Sequence, residues 1–227
     1  MRLGFGLPAA GPWATPQNLA RVARHAEGLG GAWPDAFRSV LDPAAALAYV
    51  AALTRTIRLG VSVLIMPFYA PVVLAKQLAT LDVLSGGRLD VGLGLGWSRD
   101  EYRAAGAAWD RRGARADEFI RVLKAAWTAD EVEFAGEFYA VPRSRIAPKP
   151  VQRPHPPLLI GGYAEAVFRR AVALGDGYTG GNIPLVELAP LVARLRRMAA
   201  EAGRDPAAFP IVCRRPLRGT LDASLLQ

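Results

Sequence analysis

Apolar and polar positions alternate in blocks along this chain. Short apolar runs end on glycine, proline or aspartate, and each is followed by a longer stretch with apolar residues three and four apart. The runs read as buried strands and the stretches as amphipathic helices. The first strand covers 2–7 and ends before Pro8. Thr15 and Pro16 supply an N-cap and a first helical residue. Leu19, Val22, Ala23, Ala26 and Leu29 then keep helical spacing until Gly30 and Gly31 stop it. A very short second strand, 32–33, closes at Pro34 and Asp35. Asp42 and Pro43 cap a helix over 44–53. The run 57–66 is continuously apolar, so a strand buried on both faces is expected. A helix over 71–84 places Leu74, Leu78 and Leu81 on one face, and 88–93 is the fourth strand.

A longer connection, 98–113, leads to a helix over 114–127 with Phe119, Leu123 and Trp127 on one side. Alternation on either side of Gly136 predicts a hairpin of 132–134 with 138–140. The proline-rich stretch 142–157 cannot be helical and is expected to run extended over the surface. Strands follow at 158–160, 177–179 and 209–213, with helices at 164–174 and 184–202 between them.

Seven strand–helix alternations without a linker predict parallel β/α units with right-handed crossovers. An eight-fold TIM barrel, α/β in class, is the closed solution. A doubly wound sheet is the runner-up. Its first turn needs G-x-G-x-x-G, and here that turn reads Leu7-Pro8-Ala9-Ala10-Gly11-Pro12. The reading is one domain over 1–227 that stops before an eighth strand.

Composition changes this picture little. In 227 residues there is one cysteine, Cys213, so no internal disulfide forms, which fits a reducing, cytoplasmic setting. No run approaches the roughly 18 apolar residues that span a membrane, and the first residues read as a strand rather than a signal peptide. The net charge of +8 is either an arginine-rich solvated surface or a field favouring an anionic ligand. Nucleic acid is disfavoured, because no aromatic residues interleave with the basic ones.

In a barrel, ligands sit at the carboxyl ends of the strands. Those ends carry Asp35, the 62–67 region, Gly94 to Trp97, Gly161-Gly162 and Gly180-Gly181. Gly161-Gly162-Tyr163-Ala164-Glu165 opens a helix. It reads either as a phosphate site built from free backbone N–H groups or as a plain tight turn. Gly94 and Gly96 read as a ligand wall or as close strand packing, and Trp97 as a wall for a planar ring or as core. Asp35 is a candidate acid/base or orienting group, or a turn residue. Asp100 and Glu101 read as a favourable helix start, and His25 and His155 as structural. No metal spacing, nucleophile elbow or Ser/His/Asp set is present, which points to a borrowed cofactor.

Residues 59–97, LGVSVLIMPFYAPVVLAKQLATLDVLSGGRLDVGLGLGW, resemble the bacterial luciferase-like monooxygenases, and within them the coenzyme F420-dependent oxidoreductases. Glu118-Phe119, the 134–139 hairpin, Pro148-Lys149-Pro150-Val151-Gln152, Gly161-Gly162 and Asp176-Gly177-Tyr178 continue the resemblance in order. It implies a TIM barrel holding coenzyme F420, or alternatively FMN, on its carboxyl-end face. It further implies a non-prolyl cis bond at Ser62–Val63 in a bulge behind the ring, Gly94 and Gly96 beside the ring, and the phosphate at Gly161-Gly162. The implied activity is hydride transfer to a small organic substrate, with a homodimer as the expected assembly. Many relatives carry Asp-His where this chain has Asp35-Ala36. An FMN-dependent monooxygenase and a non-catalytic remnant are the alternative functions.

Overall fold

The computed structural model describes residues 41–181 and 184–214. The expected first strand, first helix and second strand, with Asp35, lie outside these residues, as does everything after 214.

Asp42 accepts a hydrogen bond from the Ala45 amide (2.8 Å) and Pro43 opens helix α1, Pro43–Leu53. Strand β1, Leu59–Ile65, leads through a short 3-10 turn, Met66–Phe68, into α2, Pro71–Ser85. Gly86 and Gly87 take φ of 67° and 81°, ending α2 and turning the chain into β2, Leu89–Gly94. The connection after β2 holds a helix that the apolar pattern does not predict, α3, Arg99–Ala104. Then come α4, Arg112–Thr128, the hairpin β3, Val132–Ala135, with β4, Ala140–Ser144, and β5, Leu158–Gly161. Helix α5, Glu165–Ala173, strand β6, Gly177–Gly181, helix α6, Leu185–Glu201, and strand β7, Ile211–Arg214, complete the described chain.

The second hairpin strand starts at Ala140 rather than at Phe138. The reason is Glu118 on α4, whose carboxylate accepts from the amides of Glu137 (2.9 Å), Phe138 (2.8 Å) and Tyr139 (3.2 Å). Those amides are therefore unavailable to a ladder until Ala140. The burial on both faces expected of the run 57–66 does not hold, since the middle residues of β1 are only half-buried, whereas β2 and most of β5 are buried.

The main sheet is all parallel with strand order β1-β2-β5-β6-β7. A doubly wound sheet reverses its order at a switch point. This one advances in a single direction, and its intervening β3–β4 hairpin stands apart as a two-stranded sheet. The sheet also curls. The Ser62 and Thr179 hydroxyls meet at 3.0 Å although β1 and β6 are not paired. These strands form an arc of a β/α barrel with its inner face toward the barrel axis.

The proline-rich stretch is pinned on the amino-terminal side of this arc. Asp82, fully buried on α2, accepts from the Val151 amide (2.7 Å), the Gln152 amide (3.0 Å) and Gln152 Nε2 (2.7 Å). Lys149 Nζ donates to the carbonyls of Ala126 (2.8 Å) and Ala129 at the end of α4. Arg88 donates to Ala51 and Thr54 carbonyls, closing the end of α1. The segments 148–152 and 85–88, which carry much of the family resemblance, therefore hold the barrel base together. Among the described residues no helix is long and apolar enough to cross a membrane.

Candidate functional site

The carboxyl ends of β1, β2, β5 and β6 converge on one surface, and the bulge in β1 shapes it. Val61 pairs with Val91 and Leu64 with Leu93, so Ser62 and Val63 together oppose the single residue Gly92. The extra residue breaks the usual alternation, and two successive side chains turn inward. Val63 nests between β2 and β5, while Ser62 reaches Thr179 on β6. The Ser62–Val63 peptide bond is cis.

The glycines now have a defined purpose. A Cβ on Gly94 would lie 2.5 Å from Val63 Cγ2, and one on Gly161 2.5 Å from Val63 Cγ1. Neither distance is tolerable, so both positions are glycine because Val63 occupies the space. For these two, the close-packing alternative describes the contact. The result is a flat apolar wall of Val63 backed by bare backbone. Gly96, at φ of 70°, turns the chain after β2 and lies against Ile65.

Trp97 follows and is 85% exposed, so it is not core. The loop that carries it is held from behind. Buried Tyr102 donates its hydroxyl to the Leu95 carbonyl, and Arg112 Nη1 donates to the Gly96 carbonyl at 3.3 Å. The Arg112 guanidinium lies 3.8 Å over the Trp109 ring, and Trp109 meets Tyr102 edge-on at 4.8 Å. Burial pushes the Tyr102 phenol above its ordinary value, with Arg112 pulling the other way. Asp100 and Glu101 occupy the first turn of α3, with Ser98 as cap, as the helix-start reading expects.

On the opposite rim, Gly162 adopts φ of 138° and the chain enters α5. Tyr178 is fully buried and donates to the Gly162 carbonyl at 2.9 Å, and exposed Tyr163 donates to the Gly181 carbonyl. Burial pushes the Tyr178 phenol far above its usual range, and Cys213 and Tyr163 add to the shift. Glu165 in the first turn of α5 is met by Arg169 (3.5 Å) and by Arg194. His155 is buried, donates from Nδ1 to the Pro156 carbonyl (2.9 Å) and packs beside Trp127, in the structural role expected of it.

The structure thus joins Ser62, Val63, Gly94 and Gly161 in one wall, and sets Gly96 with Trp97 and Gly162 with Tyr163 on the adjoining rims. Thr179, Tyr102 and Arg112 are neighbours of this wall that sequence reasoning missed. The one signal for Thr179 is its place as the only aliphatic hydroxyl residue in the glycine-rich strand Gly177–Gly181. Among the described residues no cluster of histidine, cysteine and carboxylates is placed to hold a metal ion.

The comparisons with known proteins agree with this layout. Over 137 residues the chain is 43% identical to an FMNH(2)-dependent dimethylsulfone monooxygenase of Pseudomonas putida, covering 58% of this chain and 38% of that one. A monooxygenase structure from Streptomyces bottropensis superposes with a TM-score of 0.80 at 29% identity, covering 93% of this chain and 70% of that one. An F420-dependent secondary alcohol dehydrogenase matches with a TM-score of 0.79 at 20% identity, a likeness of fold alone, over 94% of this chain and 68% of that one. The chain spans about half the length of the curated relatives it matches. The luciferase-like monooxygenase family matches residues 2–218. A parallel arc with a bulged β1, a glycine-backed wall at its carboxyl end and this match together mean that the chain belongs to the luciferase-like monooxygenase family.

Proposed function

We propose that the chain seats the flat ring of a flavin-type cofactor against the Val63 wall, and that it is an oxidoreductase acting on a small organic molecule. The observation that carries this reading is the convergence of Ser62–Val63, Gly94 and Gly161 from three strands into one apolar surface. Such a surface suits a planar ring. When bound, the ring supplies the hydride or oxygen chemistry.

The chain's own residues do the positioning. Val63 meets one ring face. Gly94 and Gly161 let the strands close behind Val63. Trp97 and Tyr163 stand at the two rims, where they wall the ring or the substrate and exclude water. Backbone N–H groups after Gly162, at the start of α5, face the phosphate. Glu165 is matched there by two arginines, so the local charge stays positive and does not repel an anion.

Reduced FMN is the first choice of ring, supported by the 43% identity to an FMNH(2)-dependent enzyme. Coenzyme F420 is the second reading, supported by the net charge of +8, which suits its acidic tail. A homodimer belongs to the same proposal, because Val73 and Leu84 are exposed and lie on one face of α2.

Anaerobic fluorescence titration of the purified chain with FMN and with F420 tests the assignment. Micromolar FMN binding is expected. Binding of F420 alone would replace FMN with the deazaflavin reading. Binding of neither would sink the enzyme reading and leave a non-catalytic remnant.

A further inference from the structure

Ser62 and Thr179 are 117 positions apart, on strands that do not pair, yet their hydroxyl oxygens are 3.0 Å apart. Two hydroxyls hold two protons, and the bond between them uses one. The environment decides which. Thr179 is 2% exposed, and Ser62 is the only hydrogen-bond partner of its side chain among the described residues. If Ser62 donated, the Thr179 proton would be buried without an acceptor, which is strongly disfavoured. Thr179 therefore donates and the Ser62 oxygen accepts. Among the described residues the Ser62 proton then has no acceptor, and Ser62 is half-buried, with access to the space that Thr179 lacks. The β1 bulge places this hydroxyl next to Val63, on the inner face of the arc.

We propose that Thr179 is a positioning residue that orients the Ser62 hydroxyl as a free hydrogen-bond donor to an acceptor atom, a ring nitrogen or carbonyl oxygen, of the cofactor lying on the Val63 wall. This rests on the proposed function and goes beyond it by giving a role to Thr179 and a direction to the Ser62 proton. A donor at the ring favours the more electron-rich, reduced form, so it acts on redox behaviour as well as on affinity.

The test uses the full chain with FMN, or with F420 if that is the ring that binds. Affinity is read by titration and the midpoint potential by spectroelectrochemistry. Ser62→Ala and Thr179→Val are each expected to weaken binding about fivefold to tenfold, the effect of one hydrogen bond, and to lower the potential. The double variant is expected to match Ser62→Ala alone, because the two hydroxyls act as one unit. Thr179→Ser keeps the donor and is expected to restore both readouts. Thr179→Val that binds with wild-type affinity and potential overturns the proposal, as do penalties that add in the double variant. Should Thr179→Val fail to fold, Ser62→Ala decides, and unchanged affinity and potential there overturn it equally. A wild-type chain that binds neither ring overturns the proposed function together with this inference. A wild-type chain that binds while Thr179→Val is neutral overturns this inference alone.

Discussion

A methyl group added at Gly94 would meet Val63 at 2.5 Å, closer than side chains approach one another. Gly94→Ala is expected to destabilise by about 1–3 kcal/mol, the usual cost of overpacking. Val63→Ala in the same chain should recover much of that loss, so the two changes are non-additive in a denaturant titration. Additive losses would mean that Val63 is not what Gly94 accommodates. Trp97 behaves in the opposite way. At 85% exposure, its replacement by alanine should shift stability within about 0.5 kcal/mol while weakening ring or substrate binding. The glycines were legible in the apolar pattern, whereas Ser62–Val63 and its bulge came only with the family resemblance. Periodicity assigns Val63 to one face of a regular strand, and only the bulge sends Ser62 and Val63 to the same side. Cys213 is half-buried, and burial raises its thiol above the ordinary value. Its alkylation rate at neutral pH should therefore fall below that of a free thiol and climb only above the usual thiol range. A rate equal to that of free cysteine would contradict this burial.

At the scale of elements, the hairpin depends on Glu118. Burial raises its carboxyl, but the three backbone amides and Arg121 outweigh that and hold it below the usual value. A depressed carboxyl contributes stability that is present above its unfolded value, roughly 4.3, and is lost as pH falls through the lower folded value. Protection of the 137–139 amides from hydrogen exchange, relative to their intrinsic rates, should fall in that acidic window, and in Glu118→Ala at any pH. An unchanged rate in Glu118→Ala would show that another group caps the turn. The hairpin's existence was legible from its alternation around Gly136, whereas its register was not, because it is set by a carboxylate 19 to 21 positions upstream. The start of helix α3 was legible in Asp100 and Glu101, but its extent was not. Ser98 and Glu101 stand at capping-box spacing, but with Tyr102 as its only buried residue the helix shows no apolar period.

At the scale of the molecule, the alternation of strands and helices made the parallel arc legible without any contact information. What it did not disclose is that the proline-rich stretch serves as a fastening. Asp82→Ala would leave the Val151 and Gln152 backbone amides without an acceptor, while Gln152 Nε2 keeps the Leu89 carbonyl. The expected loss is about 2 kcal/mol or more in a urea titration, since each stranded donor costs about 1–3 kcal/mol. A loss below about 1 kcal/mol would mean that water replaces the carboxylate.

The hydroxyl contact between β1 and β6 is a chord across the arc, and its length depends on the curvature of the sheet rather than on any single ladder. Adjacent strands can stay fully paired while the arc flattens slightly, but a chord cannot survive that change. Ligand affinity and sheet curvature are thereby tied together. A strand movement too small to break one backbone hydrogen bond still disarms Ser62, so the site reads the shape of the whole barrel through one pair of oxygens.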